Sequence, residues 1–243
     1  MSRQATAPLI HLDKLKVSCS TCSLSALCLP YGMDKNELEH LDEIIAHKPT
    51  LERGEAHYHA GDAHQALYAV RSGSFKTVMT TADGAEQITG FYLPGEILGL
   101  DGLGDGKHRC SAIALETASL CALNTEDFDE VWSQLPALRN QLLRLIGEEI
   151  THDHDKLLAL GQLKGEERIA TFLLSLGNRL HKRGFSSTQF NLPMTRHDLA
   201  NYLGLAVETL SRMLSHMQEE GIISVKRRSV EILDDARIRT MAH

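Results

Sequence analysis

The stretch Thr195-Arg-His-Asp-Leu-Ala-Asn-Tyr-Leu-Gly-Leu-Ala-Val-Glu-Thr-Leu-Ser-Arg-Met-Leu-Ser215 reads as two short helices joined by a tight turn. Thr195 is an N-cap with Asp198 at the third helical position. Counting Arg196 as first, the small Ala200 is fifth and Gly204 is ninth. Ala200 lets the helices approach, and Gly204 supplies the backbone angles of the bend. Leu199, Leu203, Leu205, Leu210 and Met213 fall where a helix-turn-helix buries side chains. The second helix is expected from Ala206 to Glu220, ended by Gly221. Leu210, Met213, Leu214 and Met217 form its inner face. Glu208, Ser211, Arg212 and Ser215 form its outer face at i, i+3, i+4 and i+7. Arg suits guanine O6 and N7, Glu suits cytosine N4, and Ser suits several base edges. A glutamate facing phosphates is unfavourable unless it reads a base, so Glu208 is informative.

Downstream, Ile222-Ile-Ser-Val225, Lys226-Arg-Arg-Ser229 and Val230-Glu-Ile-Leu233 form a hairpin with a basic tip, the wing of a winged helix. Lys226, Arg227 and Arg228 would meet DNA phosphates and set affinity more than sequence choice. Residues 161–243 carry 12 Lys and Arg against 9 Asp and Glu, whereas residues 1–160 carry 13 against 23. Only the C-terminal third therefore suits a polyanion.

Upstream, a helix from about Glu166 to Lys182 buries Ile169, Phe172, Leu173 and Leu176, after a break at Gly161–Gly165. The pattern before it, Ala137 to Leu160, is the longest helical stretch in the chain. Leu143, Ile146, Ile150, Asp153, Leu157 and Leu160 alternate in steps of three and four, a heptad seam. Leu138, Leu142 and Leu145 lie off that seam and can cover a neighbouring β-domain. One helix with two apolar faces needs two partners, which predicts a parallel coiled coil with a second copy. Asp153 would face its own copy, and two charges about 5 Å apart at an effective dielectric of about 20 repel by about 3 kcal/mol. The seam is built for a weak, switchable dimer.

Asp34 and Glu37 bracket the start of a short helix with Leu38, Leu41, Ile44 and Ile45 on its apolar side. Between Leu51 and Leu123, short runs rich in β-branched and aromatic residues, such as Ala66–Val70, Ser74–Met79, Glu86–Tyr92 and Ser119–Leu123, alternate with glycine turns. They indicate a jelly roll. Thr125–Phe128 caps a short helix that Pro136 ends. The fold class is thus α+β: a β-roll sensor domain (residues 34–136), a dimerisation helix (137–161) and a winged helix-turn-helix (162–243). An N-terminal segment (1–33) precedes them, and its first 18 residues read only as flexible and polar.

That segment holds Cys19, Cys22 and Cys28 at C-x2-C-x5-C spacing. Three clustered thiols cannot all pair as disulfides, yet all can bind one soft metal centre if a fourth ligand folds in. Cys110 and Cys121 are the remaining cysteines, and spacing does not choose between them. No apolar run approaches the roughly 20 residues of a membrane span, and no signal-peptide pattern opens the chain. A cytosolic protein is expected, where clustered cysteines favour metal or redox roles.

With Val207-Glu-Thr-Leu-Ser-Arg212, Leu67-Tyr-Ala-Val-Arg-Ser-Gly73, Glu86–Phe91, Ala114-Leu-Glu-Thr117, Glu166-Glu-Arg168 and Arg183-Gly-Phe-Ser186 in order, residues 19–233 resemble the CRP–FNR family of bacterial transcription regulators, and most closely its oxygen-sensing branch. The resemblance implies a [4Fe–4S] cluster on Cys19, Cys22, Cys28 and Cys121, the last following the Ala-Leu-Glu-Thr run. It implies an oxygen-labile homodimer governed by Ile150 and Asp153. It also implies Glu208, Ser211 and Arg212 on a TTGAT-type half-site of a two-fold symmetric operator in double-stranded DNA. Loops near Ser72–Phe75 and Thr80–Glu86 resemble surfaces that touch RNA polymerase. Cys110 is a departure, since that branch does not require a cysteine there, and it is the rival to Cys121.

Two rivals keep the DNA reader. A cyclic-nucleotide regulator of this fold would need a complete Gly-Glu and Arg-Ser or Arg-Thr phosphate pocket, whereas here Arg109 precedes Cys110. A zinc-stabilised N-terminus would use the same thiols without an oxygen response. An enzyme is not indicated: the pairs His57/His59 and His152/His154 lack a nucleophile–base partner.

Overall fold

The computed structural model describes residues 18–242, and the reading of the first residues falls outside them. α1 (Lys35–Ile44) begins with the expected capping box: Asp34 accepts from the Glu37 amide at 2.9 Å, and Glu37 accepts from the Asp34 amide at 3.2 Å. Eight strands follow: β1 (Ala46–His47), β2 (Ala56–Tyr58), β3 (Ala66–Ser72), β4 (Phe75–Thr80), β5 (Glu86–Tyr92), β6 (Ile97–Leu98), β7 (Ser111–Ala114) and β8 (Ser119–Asn124). They form two antiparallel four-stranded sheets, ordered β1-β8-β3-β6 and β2-β7-β4-β5.

Tyr68, Val70, Leu120 and Ala122 point between the sheets and meet Tyr58, Phe75 and Cys110 there. Strand alternation sends Leu67, Ala69, Cys121 and Leu123 to the opposite face. On that outer face, α1, α2 (Phe128–Gln134) and the start of α3 (Pro136–Gln162) lay down Leu41, Val131, Leu138 and Leu142. Both faces of β3 are therefore buried, which accounts for its unbroken apolar run. Pro136, expected to end the short helix, is the first residue of α3. A proline is tolerated there because the first helical N–H has no intrahelical acceptor.

α4 (Gly165–His181) lies against the sensor. Phe91 of β5, Phe172 of α4 and Tyr202 form an aromatic triad with ring centroids 5.0–6.1 Å apart. The rest of the C-terminal unit is β9 (Gln189–Asn191), α5 (Arg196–Tyr202), α6 (Val207–Glu219), β10 (Ile223–Lys226), β11 (Ser229–Ile232) and α7 (Asp235–Met241). β9 joins the expected hairpin as a third strand in the order β10-β11-β9. One apolar core runs from Val78, Ile88 and Phe91 of the sensor into Ile169, Leu210 and Met217 of the reader. Of the surface loop expected near Ser72–Phe75, Ser72 is exposed, but Ser74 and Phe75 are buried where the chain enters β4 of the sandwich. No helix among the described residues is long and apolar enough to cross a membrane.

Candidate cysteine centre and nucleic-acid interface

The cysteine loop lies on the outer face of the first sheet. A single 3-10 turn, Cys19–Thr21, opens it, with the Ser18 hydroxyl capping the Ser20 amide. Asp42 of α1 accepts from the Cys19 amide at 2.6 Å and from the Ser18 hydroxyl. At the other end Leu29 is buried, and Gln141 of α3 donates to the Cys28 carbonyl at 2.9 Å. Arg144, one turn on, stacks over Tyr31 at 5.1 Å. The loop is thus tied to both α1 and α3.

Cys121 sits on β8 opposite His47 and Ala69. Its side chain joins those of Cys19 and Cys28 around one apolar cluster. Burial pushes the Cys19 thiol up, helped by Asp42 and by the charges of Cys121 and Cys28. Burial also pushes Cys28 up to about 12, with Cys121 and Cys22 adding to it. Cys121 is raised by burial and by Cys22, with Arg71 opposing. Cys19, Cys28 and Cys121 therefore each feel at least one other thiol.

Cys110 lies elsewhere, inside the sandwich and on the far side of the sheet from the loop. Its thiol donates to Asp101 at 3.3 Å. Among the described residues no three His, Cys, Asp or Glu side chains are drawn into a metal-holding group. Neutral thiols do not attract one another, so nothing in the chain alone closes the ring. The donor set nevertheless fits a soft, positively charged centre: four free sulfurs, three of them raised by burial, with a cation beside them to offset the cost of ionising all four.

The Arg109–Cys110 position that a cyclic phosphate would need is occupied by the chain itself. The Asp101 carboxylate accepts from the successive amides of Arg109 and Cys110 at 2.7 and 3.1 Å. Glu96 is held by Arg179 at 2.5 Å and Arg183 at 2.7 Å. Burial alone would raise Glu96, but the two guanidinium groups outweigh it and hold the carboxyl below its ordinary value. Of the paired histidines, His57 is half-buried and driven down to about 4 by burial, with Lys48 and His108 assisting. Its Nε2 has no hydrogen-bond partner.

On α3, Leu143, Ile150 and Leu157 are 58%, 50% and 71% exposed in the single chain, and Asp153 is exposed between them. Ile146 is partly buried. Leu160 is partly buried too, and its Cδ2 lies 3.4 Å from where a Cβ on Gly204 would be. The last seam position is therefore shared with the reader's own turn, because α3 ends against it. Leu158, outside the expected seam, is 60% exposed and widens the apolar strip.

The reader is built as its sequence indicates. The Thr195 hydroxyl accepts from the Asp198 amide at 3.1 Å, and the Asp198 carboxylate accepts from the Thr195 amide at 3.0 Å. Gly204 has φ of 64°. Arg168 donates to the Leu163 and Leu203 carbonyls at 2.9 and 3.0 Å, joining the end of α3 to the turn. Glu208 and Arg212 are exposed and Ser211 is partly so, all on the outer face of α6, while Leu210, Leu214 and Met217 are buried. Lys226, Arg227 and Arg228 are exposed at the wing tip, and Arg227 has φ of 57°. A residue with a Cβ in that conformation is strained by about 1–3 kcal/mol, which marks the position.

Residues 167–241 match the Crp-like helix-turn-helix domain, and residues 48–134 match the cyclic nucleotide-binding domain. The transcriptional regulatory protein btr of Bordetella pertussis is 45% identical over 216 residues, 89% of either chain. The fumarate and nitrate reduction regulatory protein of Escherichia coli is 42% identical over 226 residues, 93% of this chain and 90% of that one. Among solved structures, FixK2 from Bradyrhizobium japonicum superposes with a TM-score of 0.75 at 27% identity, covering 82% of this chain and 98% of that one.

Proposed function

Because the chain belongs to the CRP–FNR family of DNA-binding transcription regulators, we propose that it is an oxygen-responsive member. In this reading it acts in the cytosol as a homodimer on two-fold symmetric DNA with TTGAT-type half-sites, and it controls genes of anaerobic growth. The observation that carries the reading is the meeting of Cys19, Cys28 and Cys121 on one apolar cluster, with Cys22 in electrostatic range. Likeness to the fumarate and nitrate reduction regulatory protein supports it.

Cys19, Cys22, Cys28 and Cys121 would hold a [4Fe–4S] cluster, which supplies an oxygen-reactive core when bound. The chain's own residues do the rest. Asp42 fixes the Cys19 backbone, and Gln141 fixes that of Cys28 from α3 itself, two residues before the seam begins at Leu143. Any movement of the loop is thus felt by the helix that carries the dimer strip. Leu143, Ile146, Ile150, Leu157 and part of Leu160 attract the second copy, and Asp153 opposes it. Glu208, Ser211 and Arg212 read bases, and Lys226, Arg227 and Arg228 hold phosphates. The exposed Thr80–Glu86 loop is the surface offered to RNA polymerase.

Anaerobic purification with an iron and sulfide count tests the reading. Cys121→Ser should lose the iron and its visible absorbance, and Cys110→Ser should keep both; the reverse would sink the assignment. A colourless protein holding one zinc would replace it with a structural metal. The second reading, a cyclic nucleotide, is favoured by the match over residues 48–134. Against it, Asp101 already takes the Arg109 and Cys110 amides. Cyclic AMP should leave operator affinity unchanged.

A further inference from the structure

β5 is the outer strand of its sheet, so one row of its backbone groups has no neighbouring strand. The side chain of Asn201, on the first helix of the DNA reader, fills that place. Its Oδ1 accepts from the Ile88 amide at 2.6 Å, and its Nδ2 donates to the Glu86 carbonyl at 2.8 Å. The amide imitates one residue of a missing strand. Gln87 Nε2 adds a bond to the Asn201 carbonyl at 2.8 Å.

Two lysines brace the joint. Lys76 of β4 donates to Asp198 of α5 at 2.6 Å. Lys156 of α3 donates to the Ile88 and Thr89 carbonyls at 3.1 and 2.6 Å, and its Nζ lies 4.4 Å from the centre of the Tyr202 ring. The sensor's edge, the dimer helix and the reader's first helix therefore meet in one polar knot. α6 packs on α5, so the knot fixes the angle between α3 and the base-reading side chains.

Two copies joined along α3 would then present their recognition helices at a set separation, and half-sites on DNA recur about 34–36 Å apart. We propose that Asn201 is a positioning residue for operator recognition. By terminating the sensor's edge strand it sets the half-site spacing that the dimer accepts, without touching a base. This rests on α6 being the recognition helix.

The test uses the full chain in its dimeric form. Asn201→Leu removes both side-chain bonds at similar volume. Asn201→Asp keeps the shape but sets an oxygen against the Glu86 carbonyl. Each protein is titrated with the symmetric operator and with versions carrying one base pair more or less between half-sites. The unsubstituted protein should prefer the proper spacing by about tenfold or more, and both variants should discriminate by only about threefold with dimerisation intact. Hydrogen exchange at the Ile88 amide should quicken about tenfold in Asn201→Leu, which leaves it no acceptor. Unchanged spacing preference in both variants or unchanged exchange in Asn201→Leu overturns the proposal, as does a wild-type dimer indifferent to spacing. Failure of the wild-type protein to bind any symmetric duplex would instead count against α6 as the reader.

Discussion

Arg227 shows how one residue can trade backbone ease for charge. Glycine would take its φ of 57° without strain, yet the chain puts a guanidinium there, at the exposed wing tip. Arg227→Gly is expected to raise wing stability by about 1 kcal/mol and to weaken binding to all DNA sequences alike. The salt dependence of binding should fall by about one unit of slope; an unchanged slope would remove Arg227 from the phosphate contacts. Asp153 makes the opposite trade at the seam. Asp153→Ala should tighten the dimer about a hundredfold, as the roughly 3 kcal/mol repulsion is removed, and sedimentation of the protein without cofactor would show it. A variant that stays monomeric ends the repulsion argument. His57 sets an acid limit. Its folded value of about 4 lies below its ordinary 6.5, so the neutral form is favoured on folding. That contribution is complete above pH 6.5 and is lost as pH falls towards 4, about 1–2 kcal/mol after allowing for its partial exposure. His57→Phe should flatten the pH dependence of thermal stability in that window.

α3 and α4 divide the labour of connection. α3 buries Leu138 and Leu142 on the sensor and leaves Ile150 and Leu157 open on the other side. α4 is pinned to the sensor through Glu96, whose partners Arg179 and Arg183 have side chains 19% and 5% exposed. Glu96→Gln strands two guanidinium groups and should cost about 3–5 kcal/mol, measured by denaturant unfolding. Long elements with a clear period were legible in the sequence: the capping boxes at Asp34 and Thr195, the run of β3, and both faces of α3. β1, β6 and β9 were not, because strands of two or three residues exist only through the partner that pairs with them. The clustering of Cys19, Cys22 and Cys28 in one loop was legible from spacing. The placing of Cys121 on the outer sheet face and Cys110 on the inner one follows from register, which no local pattern reveals. Asn201 was invisible for the same reason: its partners lie more than a hundred residues away.

The shared core makes sensor and reader a single thermodynamic body. Phe91, Phe172 and Tyr202 form one aromatic group across the boundary. Heating should therefore give one cooperative transition, and Phe172→Ala should lower it for both halves together by about 3–5 kcal/mol. Two separate calorimetric peaks would refute this. The capped edge of β5 has a further consequence for how such a chain can be cut and recombined. A fragment ending at Gln162 would uncover the Ile88 amide and the Glu86 carbonyl beside the apolar Val78 and Phe91. An unpaired strand next to a bare apolar patch invites pairing with its own kind. The sensor is thus not a portable cassette: fused to a foreign reader without an amide at that place, it should aggregate in proportion to its concentration.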